Sequence, residues 1–219
     1  MGIKVIITGA TGMVGEGVLF ECLDHPAVEK VLLVNRRPTG VNHPKVQEII
    51  HQDFYNLSPI ASELSGYNGC YFCLGVSSVG MSQEEYRHAT FDLTMGFAKA
   101  LAAHSADITF CYVTGKGTDS TEKGKVAWAR IKGATENALL KLLPKSVMFR
   151  PGFMKPFEGQ KRVNKYFKYI AWMYSPGRKY FPKSFCTLQE VAKAMINATI
   201  QNPPKRVFEV EDIVELSKN

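Results

Sequence analysis

Three observations predict a doubly wound α/β fold, a parallel sheet with helices on both faces and a small C-terminal cap. Short β-branched runs alternate with helix-period segments through the first 150 residues. Those runs are apolar at nearly every position, as strands buried on both faces must be. The first run also leads directly into a glycine-spaced turn, Gly9-x-x-Gly12-x-x-Gly15, at the start of a helical pattern. Alternation of this kind builds one parallel sheet joined by crossover helices.

In chain order, a strand is read in KVIIT and a helix over Val14–Leu23, then strands in KVLLVN, VQEIIH and CYFCLG. A long helix follows over Glu84–Ala103, where Tyr86, Phe91, Met95, Ala98 and Leu101 or Ala102 recur at three- to five-residue steps and share one buried face. ITFCYVTG is the fifth strand, Val126–Leu143 a helix and SVMFRPG the sixth strand. After Pro151 the rhythm breaks. A basic, aromatic segment runs to Lys183 with a stop at SPG, and Thr187-Leu-Gln-Glu190 then reads as a capping box. It opens a helix, TLQEVAKAMINATI, ended by Pro203 and Pro204; a short strand RVFEV and a terminal turn follow. The reading is one domain over residues 1–219, with a core of 1–150 and cap and C-terminal elements in 151–219.

A chain of 219 residues, 45% hydrophobic and 21% charged, fits one soluble domain with a sizeable core. Nothing approaches the roughly 20 consecutive apolar residues of a membrane span. The first strand begins at Ile3 without a basic leader. The five cysteines are an odd number in mostly apolar contexts, so a reduced, cytoplasmic protein is expected. Cys70 and Cys73 form a CxxC inside an apolar run, with no second pair and no metal-type histidine spacing, so they read as buried thiols and no metal site is assigned.

The glycine turn gains meaning from its place in the first βα unit. Glycines at 9, 12 and 15 suit a tight turn, a close backbone approach to a pyrophosphate and close helix–strand packing. The helix N-terminus adds unpaired N–H groups and a positive dipole end. Gly9, Thr11, Gly12, Met13, Val14 and Gly15 are therefore candidate contacts of a dinucleotide in a Rossmann-like site. At the end of the second strand, where an acid would take the ribose 2′-hydroxyl of NAD, stand Asn35, Arg36 and Arg37. A carboxylate repels a 2′-phosphate and guanidinium binds it, so NADP(H) is favoured over NAD(H). Asp53 and Phe54 end the third strand on the adenine side, and Leu74 and Gly75 end the fourth beside the nicotinamide crevice.

These blocks, with VTGKG (Val113–Gly117), RIKGATE (Arg130–Glu136) and FRPG (Phe149–Gly152), resemble the short-chain dehydrogenase/reductase superfamily, in particular its atypical, epimerase-like and NmrA-like branch and the Tat-interacting-protein group. The resemblance implies an NAD(P)-binding oxidoreductase or nucleotide-sugar epimerase. It also implies a Ser or Thr after the fifth strand and a Tyr-x-x-x-Lys on the next helix. Thr114 matches the hydroxyl and Lys132 the lysine, which would also bind the nicotinamide ribose. Trp128 stands where the tyrosine belongs, and an indole does not ionise in this range. Tyr112 and Lys116 repeat the spacing across a strand end and a glycine turn, where helical i,i+4 geometry is missing. Two readings stay open: an enzyme that uses water or a substrate group in place of the tyrosine, and an NADP(H)-binding regulatory or redox-sensing protein that does not turn over. Arg150 and Lys155 are candidate contacts to an unidentified small-molecule substrate, because in the resembling families this region closes over it.

Between Pro151 and Lys183 eight basic residues face the single Glu158, a balance equal to the whole chain's net charge of +7. Lys161–Tyr174 can be wound as an amphipathic helix, with Val163, Phe167, Ile170, Ala171 and Tyr174 on one face and Lys161, Lys165, Lys168 and Trp172 on another. Its apolar face can pack on the core, its basic face can bind a phosphate-bearing substrate, or the segment 155–183 can meet an anionic membrane surface or an acidic partner. No reader motif accompanies the charge, so nucleic acid is not expected.

Overall fold

A computed structural model describes residues 2–163, 167 and 171–218. Among them, seven strands form one sheet in the order β3-β2-β1-β4-β5-β6-β9, every neighbouring pair parallel. The strands are β1 (Ile3–Thr8), β2 (Val28–Asn35), β3 (Val46–Ile50), β4 (Gly69–Phe72), β5 (Thr109–Val113), β6 (Val147–Arg150) and β9 (Val207–Glu209). β7 (Phe153–Lys155) and β8 (Phe185–Thr187) pair apart from it. The predicted parallel α/β architecture is present. Chain order reverses between β1 and β4, and the crevice above that reversal is where such sheets bind ligands.

Two apolar layers cover the sheet. On one face α1 (Met13–Asp24), α6 (Leu188–Gln201) and α7 (Val210–Leu216) pack over Val5, Ile7, Val31, Leu33 and Tyr71. On the other, a 3₁₀ turn (Ser58–Leu64), α3 (Leu93–His104) and α4 (Ala127–Leu142) pack over Ile6, Leu32, Val34, Phe72 and Phe110. The alternation of inward residues along β1 and β2 follows from the period-two pleat. β3 differs from the fully buried strands predicted: it is the sheet edge and is only half covered.

The predicted long helix is present but irregular. α2 (Gln83–Arg87), capped by a Ser82–Glu85 box, runs into one wide π turn (His88–Asp92) and then α3. Such a turn inserts an extra residue and re-aims the side chains around it.

The C-terminal boundary needs correction. α6 packs against α1, and β9 extends the main sheet beyond β6, so residues 188–216 belong to the core rather than to a cap. The terminal segment is helix α7, not a turn. SPG does not stop the chain either: it lies in α5 (Tyr174–Tyr180), where Pro176 sits in the first turn and removes no intrahelical bond. Gly177 there lies flat against the Phe185 ring, 2.3 Å from where a Cβ would stand. The Thr187–Glu190 capping box forms as read, and its helix ends at Asn202 in the left-handed conformation. Much of the proposed Lys161–Tyr174 helix, with Lys165, Lys168 and Ile170, lies outside the described residues.

Candidate functional site

The glycine loop is built for close approach. Gly9 has φ +72°, and its carbonyl accepts the Gly12 amide at 2.9 Å. A Cβ on Gly15 would stand 2.2 Å from the Gly9 carbonyl oxygen, so the first turn of α1 presses directly on the loop. Gly12 is the exposed N-cap and has no side chain capping the helix, which leaves the N-terminal amides facing the crevice.

Beneath the loop lies Asn35. Its side chain is buried, accepts the Ala10 amide on Oδ1 at 3.1 Å and donates from Nδ2 to Glu48 Oε1 at 3.0 Å. Arg36 and Arg37 are exposed, and among the described residues neither enters an ion pair. Arg36, Asp53, Phe54, Leu74 and Gly75 line a cavity of about 220 Å³ together with Gln52, Tyr55, Val76, Ala89 and Leu93. Ala89 and Leu93 reach it from the π turn and the start of α3. Tyr55 stacks on His88, ring centres 4.5 Å apart and 6° from parallel, and closes one side.

Leu74, Gly75 and Val76 also line a second cavity of about 400 Å³, so the two adjoin in a groove region along the strand ends. Its walls include Gly12, Met13, Val14, Thr114 and Lys132, along with Cys73 and Met154. Lys132 Nζ donates to the carbonyl of Thr114. Burial pushes the Lys132 pKa below its usual value, against the opposing pull of the Glu136 carboxylate one turn along α4. Burial raises the Cys73 thiol to about 12, so it stays protonated at neutral pH.

The remaining predicted residues part from the groove. The Thr114 hydroxyl donates to Glu136 Oε1 at 2.7 Å and lies near the Phe149 carbonyl, so it is turned to the interior. Trp128 is absent from the groove wall, and its ring lies beside Gly117. Arg150 is a correction to the substrate assignment. Its guanidinium bonds Glu136, Glu209 and Ser120 and is only 9% exposed, so its fork is spent on structure. Burial opposes its charge, yet the two carboxylates outweigh that and hold its pKa above the usual value. In β7 it is Met154, not Lys155, that reaches the groove; the Lys155 ammonium lies over the Tyr174 ring at 5.4 Å. Tyr112 is buried in the core and Lys116 bonds Ser184, so that tyrosine–lysine spacing joins nothing.

Sequence reasoning missed Glu48, Tyr55, Ala89, Leu93 and Met154. The first joins the site through strand pairing, Ala89 and Leu93 through a helix irregularity, and Met154 from beyond the sixth strand.

No family model matches the chain. Leucinostatins biosynthesis cluster protein T of Purpureocillium lilacinum is 31% identical over 120 residues, which is 53% of this chain and 44% of that protein. The chain thus spans less than half the length of that relative. The Helicobacter pylori ADP-L-glycero-D-manno-heptose-6-epimerase superposes with a TM-score of 0.66 at 16% identity, covering 99% of this chain and 82% of the enzyme. The Bordetella bronchiseptica enzyme WbmF, solved with NAD+, gives a TM-score of 0.69 at 14% identity over 99% and 77% of the two chains. The chain shares the α/β Rossmann-like fold of these enzymes. In this Rossmann fold the groove described above lies at the strand ends where order reverses, the position at which the glycine loop meets a ligand.

Proposed function

We propose that this chain is an NADP(H)-binding oxidoreductase or epimerase-like enzyme whose cofactor lies along the groove from Arg36 to Lys132. The observation that carries the reading is the adjacency of the two cavities: the Arg36 guanidinium, in no ion pair among the described residues, lines one, and the glycine loop and a buried amine line the other. The residues fit a dinucleotide. The space left by the absent Cβ of Gly12, next to free helix amides, suits a pyrophosphate, and Arg36 and Arg37 suit a 2′-phosphate. When bound, the nicotinamide supplies hydride transfer. Among the described residues, Lys132 and Cys73 are the titratable side chains of the inner groove, and the thiol holds its proton. In this reading Lys132 holds the transferable proton at Nζ, which the Thr114 carbonyl orients, and the hydroxyl of Thr114 acts only through Glu136.

The test is equilibrium titration followed by NADPH fluorescence. Arg36→Ala and Arg37→Ala are expected to weaken NADPH by about ten-fold each and to leave NADH within about two-fold, since charge-assisted hydrogen bonds to the phosphate are lost. Equal loss for both nucleotides overturns the NADP(H) assignment.

A second reading, NADP(H) binding without turnover, is favoured by the position of Trp128 outside the groove and by the inward turn of the Thr114 hydroxyl. Brisk oxidation of NADPH with a panel of carbonyl compounds and sugar nucleotides removes it. Under this second reading the exposed side chains of Trp172, Met173, Tyr180 and Phe181, flanked by Lys179 and Lys183, form the contact surface, and an anionic membrane is the partner they suit.

A further inference from the structure

We infer that Glu48 is a positioning residue that sets cofactor specificity: one carboxylate holds both the Asn35 amide and the Thr39 amide, and so fixes the glycine loop and the arginine turn together. This rests on the NADP(H) reading above.

Glu48 lies in β3, opposite Leu33 of β2, with its carboxylate directed at the end of β2. Oε1 accepts Asn35 Nδ2 at 3.0 Å and the Thr39 N–H at 3.0 Å, and Oε2 stands 3.3 Å from the same N–H. Arg36, Arg37 and Pro38 are therefore strung between two residues tied to a single side chain. Gln52 secures the stretch a third time by donating to the Arg36 carbonyl at 2.6 Å.

Chemistry settles which way the Asn35 amide faces. An ionised carboxylate only accepts, so Nδ2 turns to Glu48 and Oδ1 is left for the Ala10 N–H of the glycine loop. A polar relay thus runs from β3 through Asn35 to the backbone that would meet the pyrophosphate. It also accounts for the residue type at 35. An aspartate there would still accept from Ala10, but its second oxygen would meet Glu48 Oε1 with no proton between them. Two like charges at that separation in a half-buried site repel. Position 35 cannot carry the acid of an NAD-type site while Glu48 stands opposite.

Four variants of the full chain test this: Glu48→Gln, Glu48→Ala, Asn35→Asp and the double Asn35→Asp/Glu48→Gln. Each is titrated with NADPH and NADH and melted without nucleotide. Glu48→Gln keeps Oε1 for both donors and should hold NADPH affinity within about three-fold, whereas Glu48→Ala should lose about ten-fold or more. Asn35→Asp alone should lower the melting temperature and weaken both nucleotides. The double variant can reverse the relay: the amide introduced at position 48 donates to the carboxylate introduced at position 35 and still accepts from Thr39. It should regain the melting temperature and prefer NADH. The idea is overturned if Asn35→Asp melts like wild type and switches to NADH unaided, or if Glu48→Ala leaves NADPH binding unchanged. A loss on Glu48→Ala confined to NADH overturns it too, because Glu48 would then be the ribose ligand itself. Should wild type bind neither nucleotide, the cofactor reading fails. The melting temperatures still judge the relay in that event.

Discussion

Lys132 is held where water is scarce, and its charge there is a cost to folding. Burial lowers its pKa from the usual 10.5, so at a pH between the folded and unfolded values the unfolded chain binds more protons than the folded one. Stability contributed by this group therefore rises with pH across that window and falls away below it. Lys132→Met should remove this slope, measured as the pH dependence of urea midpoints below pH 10.5, leave stability at pH 7 unchanged or up to about 1 kcal/mol higher, and abolish any turnover. Glu136 keeps Arg150 as a partner in that variant, so no buried charge is orphaned. Single residues of this kind were partly legible. The glycines stand in a block whose spacing carries their geometry, whereas Lys132 was reached only through the resemblance of RIKGATE. The second duty of Asn35, as a bridge under the loop, was hidden because Glu48 lies thirteen positions on and meets it only through strand pairing.

Between elements, the strongest tie outside the apolar layers is the Arg150 fork. It joins β6 to α4 through Glu136 and to the end of β9 through Glu209. The Arg150 and Glu136 side chains are 10% and 1% exposed, so removing one strands the other without water. Arg150→Ala should cost about 3–5 kcal/mol in chemical denaturation, and Arg150→Met with Glu136→Leu should recover most of it by exchanging the pair for apolar packing. The resemblance placed Arg150 in the substrate region because in those families the stretch around FRPG closes over the substrate. Its burial became visible only with β9 beside it. The π turn had a sequence trace. The step from Tyr86 to Phe91 is five residues, longer than a regular helix face allows, and it falls where the helix widens. What the sequence could not supply was the result, Ala89 and Leu93 aimed into the groove wall.

At the scale of the molecule, the alternating runs were enough to read the parallel sheet, since strands buried on both faces leave little other choice. The C-terminal third was read as a cap because the strand–helix rhythm breaks after Pro151 and the remainder is too small for a domain of its own. Three residues suffice for β9 because it needs only one neighbour, β6. Around α5 the outer surface carries Trp172 at 72%, Tyr180 at 69% and Phe181 at 66% exposure, large apolar groups among lysines. Among the described residues no helix is long and apolar enough to cross a membrane. Vesicles with anionic lipid should sediment the protein, neutral vesicles should not, and Trp172→Ala/Phe181→Ala should weaken the association several-fold. Equal binding to both vesicle types sinks the proposal.

The lateness of β9 along the chain has a consequence for biosynthesis. A ribosome releases β1 to β6, the glycine loop and the lysine of α4 well before residues 207–209 emerge. Through that interval β6 presents a bare hydrogen-bonding edge, and Arg150 has yet to meet Glu209. Until β9 emerges, a second copy can take the place on β6 that β9 will fill.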